Sequence, residues 1–134
     1  MGYQSKVDAV LSGIPVPAVA GGLREHIPGF DPVGHTMVVS PTPDELIQAH
    51  QRRAHGRVAD RPTLLIDVPS LVDPMMSPPA DRQVLSLEVL FTPYNHPGGW
   101  SSSTEPDRWL DLWSEQMGPG ARDLVLEWRV MTPD

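Results

Sequence analysis

The sequence predicts an α+β fold in which a mainly antiparallel (mixed) sheet of about five strands carries two main helices packed on it. Three observations support this class. Two apolar runs rich in branched residues flank a proline-dense connector between Ile66 and Tyr94. Two other segments begin with helix-start signals. The chain has 134 residues, which is room for one core, so we expect residues 1–134 to form a single domain.

Strands are predicted where apolar and polar residues alternate, or where a short apolar run lies between turn residues. Val84–Phe91 is the strongest of them, because one of its faces is fully apolar and must meet a core. The last predicted strand could also be a helix, but its alternation favours a strand. The predicted strands are Lys6–Leu11, Thr36–Ser40, Pro62–Val68, Val84–Phe91 and Asp123–Met131.

The clearest helix is predicted over residues 43–55. Thr42 and Glu45 form a capping box around Pro43, and Gly56 can end the helix. Its interior face is expected to comprise Leu46, Ile47, Ala49 and Ala54.

A second helix is predicted after Thr104, which repeats the start signal, with Trp109 and Trp113 among its apolar positions. It should end at the glycine and proline residues 118–120. The glycine- and proline-rich stretch 18–34 reads as loop, with one helical turn near Leu23–His26.

The composition excludes several classes of function. The net charge is −7 with only 10 lysine and arginine residues, which argues against nucleic acid and against anionic membrane surfaces. The absence of cysteine excludes disulfides, thiolate metal sites and a cysteine nucleophile. No apolar run is long enough for a transmembrane segment, and the first ten residues do not form a signal peptide. We expect a soluble, cytoplasmic protein.

No motif in the sequence predicts catalytic, cofactor-binding or metal-binding residues. The glycine clusters lack the GxGxxG and Walker spacings, and the five histidines form no HxH or HxxxH pair. Ser70 and Asp73 are best explained by turn bonds to backbone amides before Pro74. The carboxylates of Asp67 and Glu88 lie within apolar strands, where an edge or solvent-facing position explains them more simply than acid–base catalysis does.

Several segments, taken in order, resemble the substrate-binding part of the phytoene-dehydrogenase-like FAD-dependent oxidoreductases, in the branch of the pyridine nucleotide-disulfide oxidoreductase domain-containing proteins. The chain departs from that pattern at Ala80-Asp81, where the family usually has glycine after its proline pair. The segments that carry the resemblance are Lys6–Pro15, 43–56, Pro69–Pro74, Pro78-Pro79, Val84–Tyr94, Trp100 and Val130–Pro133.

The resemblance implies that the sheet forms one wall of a pocket for hydride removal from an apolar substrate, with Phe91, Tyr94 and Trp100 as substrate-binding candidates. FAD is the cofactor of the parent family. The chain lacks both flavin-binding segments of that family, so we expect a fragment, a truncated product or half of a split enzyme that does not bind FAD alone and is inactive by itself. Its partners would be the missing flavin-binding portion or a second copy of the chain.

A different class of function stays open beside this one. The chain could be a non-catalytic binding or interaction module, or an inactive relic. In that case the apolar face of Leu85–Phe91, together with Trp109 and Trp113, would form the partner surface.

Overall fold

The structure is a computed structural model that describes residues 4–12, 36–71, 73–76, 82–117 and 120–133. Within these residues, five strands form one antiparallel sheet in the order β2-β3-β4-β1-β5. The helical turn predicted near Leu23–His26 lies outside the described residues. In chain order the elements are β1 (Gln4–Leu11), β2 (Thr36–Val39), α1 (Pro43–Ala54), β3 (Leu64–Asp67), β4 (Gln83–Leu90), α2 (Glu105–Gln116) and β5 (Val125–Met131).

The predicted α+β class is confirmed, and the five predicted strands are all present with small differences at their ends. At the last strand, a short 3₁₀ helix, Ala121–Leu124, occupies the first predicted positions and the strand begins at Val125. Short 3₁₀ helices also form at Pro69–Leu71 and Pro74–Met76, in the proline-dense connector.

The first strand of the chain lies near the middle of the sheet, between β4 and β5. Its central residue Val7 pairs with Leu87 of β4, and Leu87 pairs with Ile66 of β3. All three side chains are buried, because opposite residues of antiparallel strands point to the same face. The apolar face predicted for Val84–Phe91 is therefore confirmed for the residues within the strand.

Helix α2 covers this face. Trp109, Leu110 and Trp113 are fully buried and belong to the same apolar cluster as the strand residues. The predicted start of this helix is wrong in one detail, since Thr104 has helical backbone angles and its side chain makes no capping bond. Instead the Glu105 N–H donates to the hydroxyl of Ser103, at 3.2 Å. The hydroxyl one residue earlier performs the capping that the sequence pattern assigned to Thr104.

Helix α1 begins as predicted. The Glu45 N–H donates to Thr42 Oγ1 at 3.3 Å, and the Thr42 N–H donates to Glu45 Oε2 at 2.9 Å. The predicted interior face is wrong, because only Ala49 is buried, while Leu46 and Ile47 are 37% and 56% exposed. The sheet face that α1 would need is already covered by α2, so α1 lies at the margin of the core.

The C-terminal end of α1 is held by the loop that follows β4. Phe91 has a left-handed backbone, with φ of 60°, and its ring meets the His50 ring edge-on at 5.7 Å between centroids. Gly56 also has positive φ, 72°, and a Cβ built there would overlap the carbonyl oxygen of Asn95. The absence of a side chain at Gly56 is what lets the loop approach this closely.

We therefore predict that Gly56→Ala lowers the free energy of unfolding by about 2–5 kcal/mol, the sum of left-handed strain and overpacking. Gly98 is the matched control, since its φ is 81° but no atom lies within 4 Å of its built Cβ. Gly98→Ala should cost only the strain, about 1–2 kcal/mol. Chemical denaturation measures both, and equal losses would contradict the close approach.

Candidate functional site on the open face of the sheet

The two faces of the sheet have different environments. One is packed under α2, and the other, called here the open face, is covered by no helix of the described residues. Strand register places its side chains in rows. One row holds Lys6 opposite Glu88, and the next holds Asp8, Ser86 and Asp67 on three neighbouring strands. These side chains are all partly exposed, in contrast to the buried face.

The open face is concave and encloses a volume of about 750 Å³. That volume falls within the range of small-molecule sites, roughly 300–1,000 Å³. Side chains of the open face line it, together with two residues of the proline-dense connector: Lys6, Asp8, Val10, Asp67, Val84, Ser86, Glu88, Glu127 and Arg129, with Pro69 and Met76.

The polarity of this concavity changes along the strands. At one end Val10 lies opposite Val84, with Pro69 and Met76 of the connector beside them, and Glu127 of β5 adds a carboxylate on the other side of Val10. Four residues further along both strands, the pair is Lys6 and Glu88. A ligand that fits this gradient has an apolar body and a polar end, because each part would then meet groups of its own kind.

An ion-pair network occupies the polar end. The Lys6 ammonium lies 3.3 Å from Asp8 Oδ1, and the Arg129 guanidinium lies 3.5 Å from Asp8 Oδ2. Asp8 is mostly buried, whereas Arg129 is 80% exposed. Exposed pairs of this type contribute roughly 0–1 kcal/mol, so the network mainly sets the local charge and holds its side chains loosely.

A buried hydroxyl joins the connector to β4 beside the apolar end. Ser70 Oγ accepts the Val84 N–H at 2.9 Å and donates to Gln83 Oε1 at 2.7 Å. The bonds join the connector to the first two residues of β4. The turn bond predicted for Asp73 is present, since its carboxylate accepts the Met75 N–H at 3.0 Å. The local turn bond predicted for Ser70 is wrong, because its hydroxyl accepts from a backbone amide that lies 14 residues further along the chain.

The three residues expected to bind substrate lie beyond the end of β4, and none of them lines the concavity. Trp100 is in the core, where its indole N–H donates to the Pro93 carbonyl at 3.0 Å and its ring stacks on His96. Phe91 packs on α1, and Tyr94 is 50% exposed. Their contact with a substrate stays a prediction.

The other candidates for chemistry are dispersed. No cluster of three or more histidine or acidic side chains within the described ranges could hold a metal ion. Asp67 and Glu88 both lie on the open face, so the solvent-facing position that the sequence favoured for them is confirmed.

The partner surface considered for a non-catalytic module does not exist. Leu85, Leu87 and Val89 pack in one cluster with Trp109 and Trp113, and all five are fully buried. Two apolar surfaces predicted to bind another molecule bind each other instead.

Sequence reasoning did not identify the open face as a site. Of its polar residues, the sequence singles out only Asp67 and Glu88, and an edge or solvent-facing position explains each of them separately. A signal was present in β4, where Val84, Ser86 and Glu88 alternate with buried leucines, but only the register shows that Lys6 and Asp8 lie beside them.

The sheet is therefore covered by α2 on one face, and its other face is open and concave. No family model matches the chain. It is similar to a segment of pyridine nucleotide-disulfide oxidoreductase domain-containing protein 2 from Mus musculus, with 31% identity over 115 residues. The match includes 79% of this chain but only 19% of that protein, so the chain spans about a fifth of its relative's length.

This similarity supports a distant relationship to the oxidoreductase superfamily, and to one segment of such a protein. It does not distinguish the phytoene-dehydrogenase-like branch. Neither described helix combines the length and apolar character needed to cross a bilayer. The cytoplasmic location stays a prediction.

For the site itself, we predict that Ser70→Ala lowers the free energy of unfolding by about 1–3 kcal/mol, because the Val84 amide loses its acceptor in a part-buried position. Ser102→Ala is the matched control, since that exposed hydroxyl bonds only the Gly98 carbonyl. Its cost should stay within about 0.5 kcal/mol. Urea denaturation compares the two, and equal costs would show that Ser70 does not hold the connector.

Proposed function

We propose that this chain is the substrate-facing segment of an FAD-dependent oxidoreductase of the phytoene-dehydrogenase-like type, which removes a hydride from an apolar substrate. The observation that carries the proposal is the similarity of 79% of the chain to part of an oxidoreductase domain-containing protein. The concave open face supports it. A sheet that is packed on one face and concave on the other suits the wall of a pocket shared with another part of a larger protein.

Within this proposal, the open face holds the substrate. Val10, Val84 and Met76 would contact its apolar body and keep water from it, and the polar row at Lys6 and Glu88 would orient its other end. Tyr94 lies beyond the end of β4 and is half exposed, so it would contact only a substrate that extends past the concavity.

The described residues do not fit the flavin itself. A dinucleotide phosphate needs a glycine-rich turn from a strand into the N-terminus of a helix. Gly98 and Gly99 follow β4, but Trp100 and three serines come between them and α2. A flavin would therefore be bound by another segment, and the chain's own role would be to bind and orient the substrate.

The concave wall can be tested on this chain alone with a neutral, environment-sensitive apolar dye. We expect the dye to bind, and Ser86→Trp to weaken it at least about tenfold, which corresponds to about 1.4 kcal/mol, because the new indole fills the middle of the concavity. Ser101→Trp adds the same side chain at an exposed turn and should leave binding unchanged. Equal affinities for both variants would contradict binding at the open face.

The relationship to a flavoenzyme needs a separate test. A chimera of the mouse relative, with its matching segment replaced by this chain, should retain bound FAD when purified, whereas this chain alone should retain none. Flavin absorbance per polypeptide measures both. A well-folded chimera without flavin would contradict the proposed role as a segment of such an enzyme.

A non-catalytic interaction module is the second candidate, and the exposed edge strand β5 favours it. Five of its seven residues are exposed, among them Leu126, Trp128 and Met131.

A further inference from the structure

Strand β5 forms an edge of the sheet with an unusual arrangement of side chains. It pairs with β1 on one side, and no strand of the described ranges pairs with its other side. An edge strand presents unpaired N–H and C=O groups that can pair with another strand. Natural proteins commonly protect such edges by making them short or strongly charged. This edge is seven residues long and exposes large apolar side chains.

We propose that β5 pairs with β5 of a second copy of this chain, in antiparallel register about a twofold axis at Trp128. The inference is independent of the oxidoreductase proposal. The pairing would join two five-stranded sheets into one continuous sheet and cover the β5 edge of each copy. It is an isologous interface, in which the same surface meets itself.

The sequence of β5 is self-complementary in this register. Glu127 lies opposite the partner's Arg129, and Arg129 lies opposite the partner's Glu127. Trp128 meets the partner's Trp128. The pairing of β5 with β1 is irregular at Leu126, so the matched part of the interface is residues 127–129. Opposite charges and aromatic pairs across neighbouring strands are the favourable cross-strand combinations.

Neighbouring registers lack this complementarity. A twofold axis at Glu127 would set two glutamates opposite each other, and an axis at Arg129 would set two arginines opposite each other. Like charges directly opposite are destabilising. The charges that would discourage pairing with an arbitrary strand therefore select this one register.

The register also agrees with the faces of the sheet. In β5, Glu127 and Arg129 share the open face with Val10 and Asp8, their partners on β1. Trp128 and Val130 share the opposite face with Ala9 and Val7. A twofold axis perpendicular to the sheet keeps open face beside open face, so the charged pairs and the apolar pairs remain on their own sides.

Arg129 is available for this contact. Its side chain is 80% exposed, and its distance to Asp8 of 3.5 Å indicates a weak, solvent-screened pair. Glu127 is exposed as well, on the same side of the strand. Trp128 is 39% exposed at the edge. Tryptophan is among the residues most enriched at protein interfaces, so this exposed position suits an interface.

Sedimentation equilibrium of the full chain, from micromolar to millimolar concentration, tests the proposal. We expect a reversible dimer. Glu127→Arg and Arg129→Glu should each raise its dissociation constant by roughly tenfold or more, because each places two like-charge pairs across the axis. The double variant E127R/R129E should restore the affinity, since the exchanged charges again face each other.

Glu115→Arg is the matched control, because it makes the same charge change at an exposed position of α2 and should leave the dimer unchanged. Circular dichroism checks that each variant is folded. A chain that stays monomeric at millimolar concentration would overturn the proposal, and so would a dimer that the single reversals do not weaken or the double variant does not restore.

A cysteine placed on the axis gives a second readout. The chain has no cysteine, so Trp128→Cys introduces a single thiol that can only be joined between copies. Paired residues across antiparallel strands have Cα atoms about 4.5–5.5 Å apart, which suits a disulfide. W128C should oxidise to a covalent dimer far more completely than the exposed control Ser101→Cys. Equal yields would overturn the register.

Discussion

The burial of one face of the sheet under α2 is the interaction on which the rest of this structure depends. Trp109 and Trp113 are fully buried against strand residues such as Val7 and Leu87, which lie opposite each other on neighbouring strands. Because side chains alternate along a strand, the residues that are buried on one face determine which residues lie on the other face. The charged and small residues of β1 and β4 must then lie together on the open face.

The concave wall and the edge follow from that arrangement. The open face needs no cover to satisfy its polar groups, since Lys6, Asp8 and Arg129 form their ion pairs there. The chain is similar to about a fifth of its mouse relative, and in the function proposed above the open face would be one wall of a pocket. The same arrangement also leaves one side of β5 without a paired strand among the described residues, and there an exposed tryptophan lies between charges of opposite sign.

Local signals predicted local structure well. The capping box of Thr42 and Glu45, the alternation of β4 and the apolar positions of α2 all formed as expected, because each depends on neighbours within a few residues. Failures occurred where two elements compete for one surface. Leu46 and Ile47 carry the pattern of a buried face, yet α2 already covers the sheet, and its two tryptophans bury more apolar area than α1 could.

By itself, the sequence determined the α+β class, the strands and helices, and the absence of thiol chemistry or a complete nucleotide-binding loop. Only the tertiary structure decided that Lys6 and Asp8 join Glu88 and Ser86 on one concave face, since their register brings together residues about 80 positions apart. It also decided that β5 is the last of the described strands in the sheet, next to β1. The physical reason is that alternation assigns a side chain to a face, whereas strand order and packing decide which face is covered.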